Sequence, residues 1–121
     1  MAAKSKETPT FLPRIRVVCG NEIAIGPGKA ELLGFVHSTG SIAEAAKRMG
    51  MSYMRAWMLI RTMEKCFKRP LVEKIRGGAK GGGARLTETG ETVLALYKQI
   101  ETDSQQAAAA SWRMLRVLLR N

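Results

Sequence analysis

Between Ser41 and Phe67 the apolar positions recur at helical spacing in two short runs separated by a polar corner. Ile42, Ala45, Ala46 and Met49 form the first apolar face, and Ala56, Ile60, Met63 and Phe67, at i, i+4, i+7 and i+11, form the second. Ser41 followed three residues later by Glu44 has the form of a capping box. Gly50 suits a left-handed helix end, and Ser52 caps the second helix. Alanines at the crossing let two helices approach closely. The pattern predicts a helix-turn-helix; an ordinary αα-hairpin is the competing reading.

The flanking patterns extend this unit. Residues 1–13 are polar, contain Lys4 and Lys6, and close with Pro9 and Pro13, so a flexible N-terminal arm is expected. Arg14 to Cys19 mixes charged and β-branched residues as an edge strand does, and Glu22 to Ile25 returns after the Gly20-Asn21 turn as its partner. Pro27 opens a helix carrying Leu32, Phe35 and Val36 at i, i+3 and i+4, which Gly40 stops. Gly34 inside it costs ~1 kcal/mol relative to alanine unless another backbone packs there.

Downstream, Leu71 to Arg76 reads as a strand after Pro70; a glycine-rich GGAKGGGA segment comes next, then Arg85 and Leu86 before Thr87 caps a helix. Two short strands around such a loop describe a wing, against the alternative of a merely disordered loop. From residue 88 to 119 no proline interrupts, and a continuous helix there would run ~48 Å at ~1.5 Å per residue. Its apolar stripe, with Ala107 and Trp112 alongside, needs a second surface, so a homodimer interface is expected at Val93, Tyr97, Ile100, Leu115 and Leu118. The alternative is a helix folded back on its own domain. The expected fold class is mainly α with small β hairpins: a winged helix-turn-helix over residues 14–87 and a long C-terminal dimerisation helix over residues 88–121.

Charge changes the picture from fold to partner. Residues 47–85 hold eleven Lys and Arg against Glu64 and Glu73, so plus nine of the net +10 sits there. Such clustering points to a polyanion, and double-stranded DNA fits a helix-turn-helix. On the outer side of the second helix, Tyr53, Arg55, Trp57 and Arg61 are placed to read bases: arginine donates twice to guanine, and an aromatic surface contacts the thymine methyl. Trp57 has a second possible place, packed beneath the first helix. Ser52 and Lys47 are assigned to phosphates, and Arg76, Lys80 and Arg85 to the wing's grip on the backbone.

Other chemistry finds little support. His37 is the only histidine and Asp103 the only aspartate, so no triad, carboxylate pair or metal constellation assembles, and no enzyme is expected. The glycine-rich loop lacks the GK[ST] ending of a P-loop. Cys19 and Cys66 read as reduced, buried thiols. With no membrane-spanning run and no signal-peptide core at the start, a cytoplasmic location is expected.

The run GSIAEAAKRMGMSYMRAWMLIRTMEK with LVEKIRGGAKGGGARLTETG resembles the N-terminal DNA-binding domain of ModE-type molybdate-responsive transcription regulators. The resemblance rests on Ser52, Tyr53, Ala56 and Trp57 (SYxxAW), on Gly77, Gly78, Gly81, Gly82 and Gly83 in the wing, and on Leu86, Thr87 and Gly90. It implies operator binding as a dimer and control of molybdate uptake or molybdoenzyme genes. Family members sense molybdate in C-terminal barrel domains that these 121 residues do not contain, so no cofactor is expected and direct molybdate sensing is in question: the alternatives are a DNA-binding-only member and one that receives its signal from another protein. A more distant resemblance is to the winged helix of LysR-type regulators. The competing function is a LysR-like or sequence-nonspecific nucleoid-associated protein with no link to molybdate.

Overall fold

The computed structural model describes residues 8–76 and 83–120. The N-terminal hairpin pairs β1 (Val17–Cys19) with β2 (Glu22–Ile25), antiparallel and with a register irregularity between Val17 and Val18. Its first strand is shorter than expected, because Arg14 to Arg16 leave the ladder and run beside Tyr97 of the C-terminal helices. Three helices come next, α1 (Pro27–Thr39), α2 (Ile42–Arg48) and α3 (Tyr53–Glu64). A second antiparallel hairpin, β3 (Val72–Ile75) and β4 (Gly83–Leu86), leads into α4 (Glu88–Ala107) and α5 (Ala109–Val117). The tip of that hairpin, with Gly77, Gly78, Lys80, Gly81 and Gly82, lies outside the described residues, as do Lys4 and Lys6 of the arm.

One core joins β2, α1, α2, α3, the second hairpin and α4, while β1 and α5 place no residue in it. Leu32, Leu33 and Val36 of α1 meet Ala45 and Ala46 of α2, Ala56, Ile60 and Met63 of α3, and Leu71, all essentially without solvent exposure. The hairpin closes one side with Val72, Ala84 and Leu86, and α4 closes another with Leu94 and Tyr97. Here the structure corrects the expected interface stripe. Tyr97 is 2 % exposed, and its hydroxyl donates to the Ile15 carbonyl at 2.7 Å. Burial pushes its phenol up, Glu101 adding to this and Arg14 and Arg16 opposing it. Val93 packs against the same core, so the first turns of α4 belong to the winged domain. Ile100, Leu115 and Leu118 remain exposed.

The expected single helix over residues 88–119 is divided. Ala108, at φ −92° and ψ 0°, separates α4 from α5. The hydrogen bonds nevertheless run on across the division, the Ala108 N–H donating to the Ser104 carbonyl at 3.1 Å and the Trp112 N–H to the Ala108 carbonyl at 2.8 Å. The arm engages this region: Phe11 stacks on Trp112 with ring centroids 5.9 Å apart, and Gln105 Nε2 donates to the Phe11 carbonyl at 3.4 Å. Phe11 and its neighbours therefore lie against α4 and α5.

The thiols also differ from expectation. Cys19 is exposed at the turn of the first hairpin, and Cys66 is half-buried beyond α3. Burial pushes the Cys66 thiol up, and the neighbouring Cys19 side chain adds to it. Among the described residues no helix is long and apolar enough to cross a membrane, and no group of three or more His, Cys, Asp or Glu is placed to hold a metal.

Two glycines separate packing from propensity. A Cβ at Gly90 would overlap the Leu71 carbonyl oxygen, whereas a Cβ at Gly34, inside α1, meets nothing within 4 Å. Gly90→Ala is expected to destabilise the fold by at least ~2 kcal/mol through a backbone clash. Gly34→Ala is expected to stabilise it by ~0.5–1 kcal/mol. Urea unfolding of the two variants checks both signs.

Candidate nucleic-acid interface

The corner between α2 and α3 is built by local hydrogen bonds. Ser41 Oγ accepts from the Glu44 N–H at 3.0 Å, and Ser52 Oγ accepts from the Arg55 N–H at 3.1 Å. Only half of the expected capping box forms. The Ser41 N–H donates to Thr39 Oγ1 at 3.2 Å, while Glu44 turns toward Arg48 at 3.8 Å. At the corner, Gly50 is left-handed at φ 69°, and the Met51 N–H donates to the Ala46 carbonyl at 3.0 Å. Ala45, Ala46 and Ala56 bring the two helices together, which fixes the outward direction of α3.

That outward face carries Met54, Arg55, Met58 and Arg61, all exposed, with Tyr53 40 % exposed at its start. Of the two places expected for Trp57, the structure shows the packed one in part. Half-buried, it packs against the core and still presents ring surface to cations. The Arg61 guanidinium lies 5.6 Å from the Trp57 centroid, and Lys74 Nζ lies 4.7 Å from Trp57 and 5.9 Å from Tyr53. Tyr53, Trp57, Arg61 and Lys74 therefore form one surface rather than separate side chains.

Lys74 is a member of this surface that sequence reasoning missed. In the ladder Val72 faces Leu86 and Lys74 faces Ala84, so Lys74 shares its face of the hairpin with three buried residues. The available signal was this period-two placement of a lysine on an inward face. On the opposite face Glu73 and Arg85 form an ion pair at 2.7 Å. Arg85, assigned to the wing's grip, thus has its charge partly engaged; Arg76 is exposed just beyond β3, and Lys80 lies outside the described residues. Lys47 is exposed on α2.

The helix and wing are joined by a carboxylate. The expected continuation of α3 to Phe67 does not occur. The helix ends at Glu64, and the Cys66 and Phe67 N–H groups donate to the Met63 and Glu64 carbonyls in a tightened turn. Glu64 Oε2 then accepts from the Leu71 and Val72 N–H groups at 2.8 and 3.1 Å, tying the end of α3 to the start of β3. The side chain at the end of the helix also sets the wing.

With this geometry in place, the comparison with known proteins is decisive at the level of family. Residues 30–91, about half of the chain, match the bacterial regulatory helix-turn-helix proteins of the lysR family. The chain belongs to that family. The lysR-family match runs from within α1 through the helix-turn-helix and wing to the first turn of α4. Similar proteins include the molybdenum transport protein ModE of Azotobacter vinelandii, 36 % identical over 80 % of this chain and 36 % of that protein. The transcriptional regulator ModE of Yersinia pestis is 42 % identical over 67 % of this chain and 31 % of its own length. The molybdenum-pterin-binding protein MopA of Rhodobacter capsulatus is 39 % identical over 64 % and 29 %. The chain spans about a third of the length of these relatives. Streptococcus pneumoniae FabT, solved in complex with DNA, shares the fold: its TM-score is 0.52 at 11 % identity, covering 71 % of this chain and 61 % of that one.

Within this lysR-family domain Glu64 is the residue whose loss should loosen the site without touching its outer face. Glu64→Ala strands the Leu71 and Val72 N–H groups and is expected to cost ~1.5–3 kcal/mol. Thermal unfolding measures the loss, and faster amide exchange at Leu71 and Val72 locates it.

Proposed function

We propose that this chain is a transcription regulator of the ModE type that binds duplex DNA in a sequence-specific manner, as a homodimer, and controls genes of molybdate uptake or molybdoenzymes. The observation that carries the reading is the surface formed by Tyr53, Arg55, Trp57 and Arg61 beside the wing, within a field of plus nine over residues 47–85. α3 enters the major groove; Arg55 and Arg61 donate to base edges while Tyr53 and Trp57 supply apolar contact. Ser52, Lys47, Arg76, Arg85 and Lys80 grip the backbone. The similarity to ModE proteins supports the regulatory role and the link to molybdenum. A role in the cytoplasm accords with that reading.

The homodimer rests on apolar surface that is exposed among the described residues. Leu96, Ile100, Met114, Leu115, Val117 and Leu118 are each at least 41 % exposed on α4, α5 and the turn after α5. Pairing two copies there would set two recognition helices on half-sites ~34 Å apart, one turn of DNA.

Competitive gel shifts with ModE-type operator duplexes and unrelated duplexes of equal length test specificity. The operator is expected to bind more tightly at every salt concentration, and equal affinities would refute sequence-specific reading. Arg55→Ala should lose ~1–3 kcal/mol of discrimination at one base step, whereas Arg76→Ala should weaken all duplexes alike. Sedimentation measures the dimer: the chain is expected at twice its monomer mass, and Leu115→Glu with Leu118→Glu should return it to the monomer while leaving the helical spectrum intact.

A further inference from the structure

An open cleft of about 250 Å³ lies between the starts of α2 and α3 and the wing, with Ser41, Tyr53, Lys74 and Ala84 on its walls. Lys74 has unusual surroundings there. Its ammonium is held over two aromatic faces, 4.7 Å from Trp57 and 5.9 Å from Tyr53. The adjacent Glu73 carboxylate is occupied by Arg85, and among the described residues Lys74 has no carboxylate partner. A ring face attracts an ammonium strongly enough to narrow the range of a flexible four-carbon side chain. It does not satisfy three N–H donors. Lys74 is thus oriented and still able to donate, at the seam where the recognition helix meets the wing.

A compact ammonium point charge suits an oxygen anion better than a planar base edge. The cleft also lies beside the start of α3 rather than beyond its outer face, where a groove's edge would pass. We propose that Lys74, seated on Tyr53 and Trp57, holds one backbone phosphate of duplex DNA in this cleft and so fixes the wing against the recognition helix on the bound duplex. The proposal rests on the DNA-binding reading above. It gives the aromatic shelf a second role: Tyr53 and Trp57 orient a phosphate-binding lysine in addition to contacting bases.

The test is a salt series of binding measurements on the full chain, with the operator and an unrelated duplex. Lys74→Ala and Lys74→Gln are expected to weaken both duplexes alike, about five- to tenfold, and to lower the slope of log affinity against log salt by about one. Lys74→Arg, which keeps the charge and the ring contact, should restore affinity and slope. In a Trp112→Phe background, the emission of Trp57 in the free protein should shift in the alanine variant and not in the arginine variant. An unchanged salt slope in Lys74→Ala and Lys74→Gln overturns the proposal even if affinity falls, because a lost packing contact moves affinity without moving counterion release. A parent chain that binds neither duplex would instead overturn the DNA-binding reading itself.

Discussion

The site depends on how Leu71 is held. Its N–H donates to the Glu64 carboxylate at the end of α3, and its carbonyl accepts from the Thr87 N–H at the entrance to α4. Thr87 Oγ1 also donates to the Pro70 carbonyl at 2.7 Å, and Gly90 packs directly on the Leu71 carbonyl. The Leu71 side chain is itself fully buried. Recognition helix, wing and α4 thus meet at one backbone position, where satisfied polar groups in a closed core tolerate little displacement. The direction of α3 and the position of the wing are therefore not independent.

This joint explains why a basic, partly apolar surface can be kept exposed. Tyr53 and Trp57 would gain ~1.5–3 kcal/mol each by full burial. They stay near solvent because α3 is fixed from behind by Ala56, Ile60 and Met63, and because Arg61 and Lys74 cover part of their faces. The result is a preorganised surface with cations in place before a partner arrives.

Much of this was legible from spacing and caps. Periodicity placed α1, α2 and α3 and most of their buried residues, and Ser52 and Thr87 marked helix starts. What escaped was non-local. The fate of Glu64 depends on N–H groups seven and eight residues away. The place of Tyr97 depends on Ile15, 82 residues distant, so a residue that fits an outward stripe by spacing is consumed inside the domain. Gly90, which weakens a helix by propensity, is required by the Leu71 contact. Lys74 escaped because charge on a short strand reads as solvated unless the position of its face is known. The break at Ala108 had no cue beyond four alanines whose small side chains equally suit close helix packing.

If α3 and the wing form one DNA-binding face, both must respond together when a duplex binds. Amide chemical-shift mapping of the full chain during titration with an operator duplex tests it most directly. Shifts concentrated over residues 52–61 and on β3 and β4, moving together with one saturation curve, are expected. Shifts confined to α4 and α5, or a wing that saturates separately from α3, would contradict it.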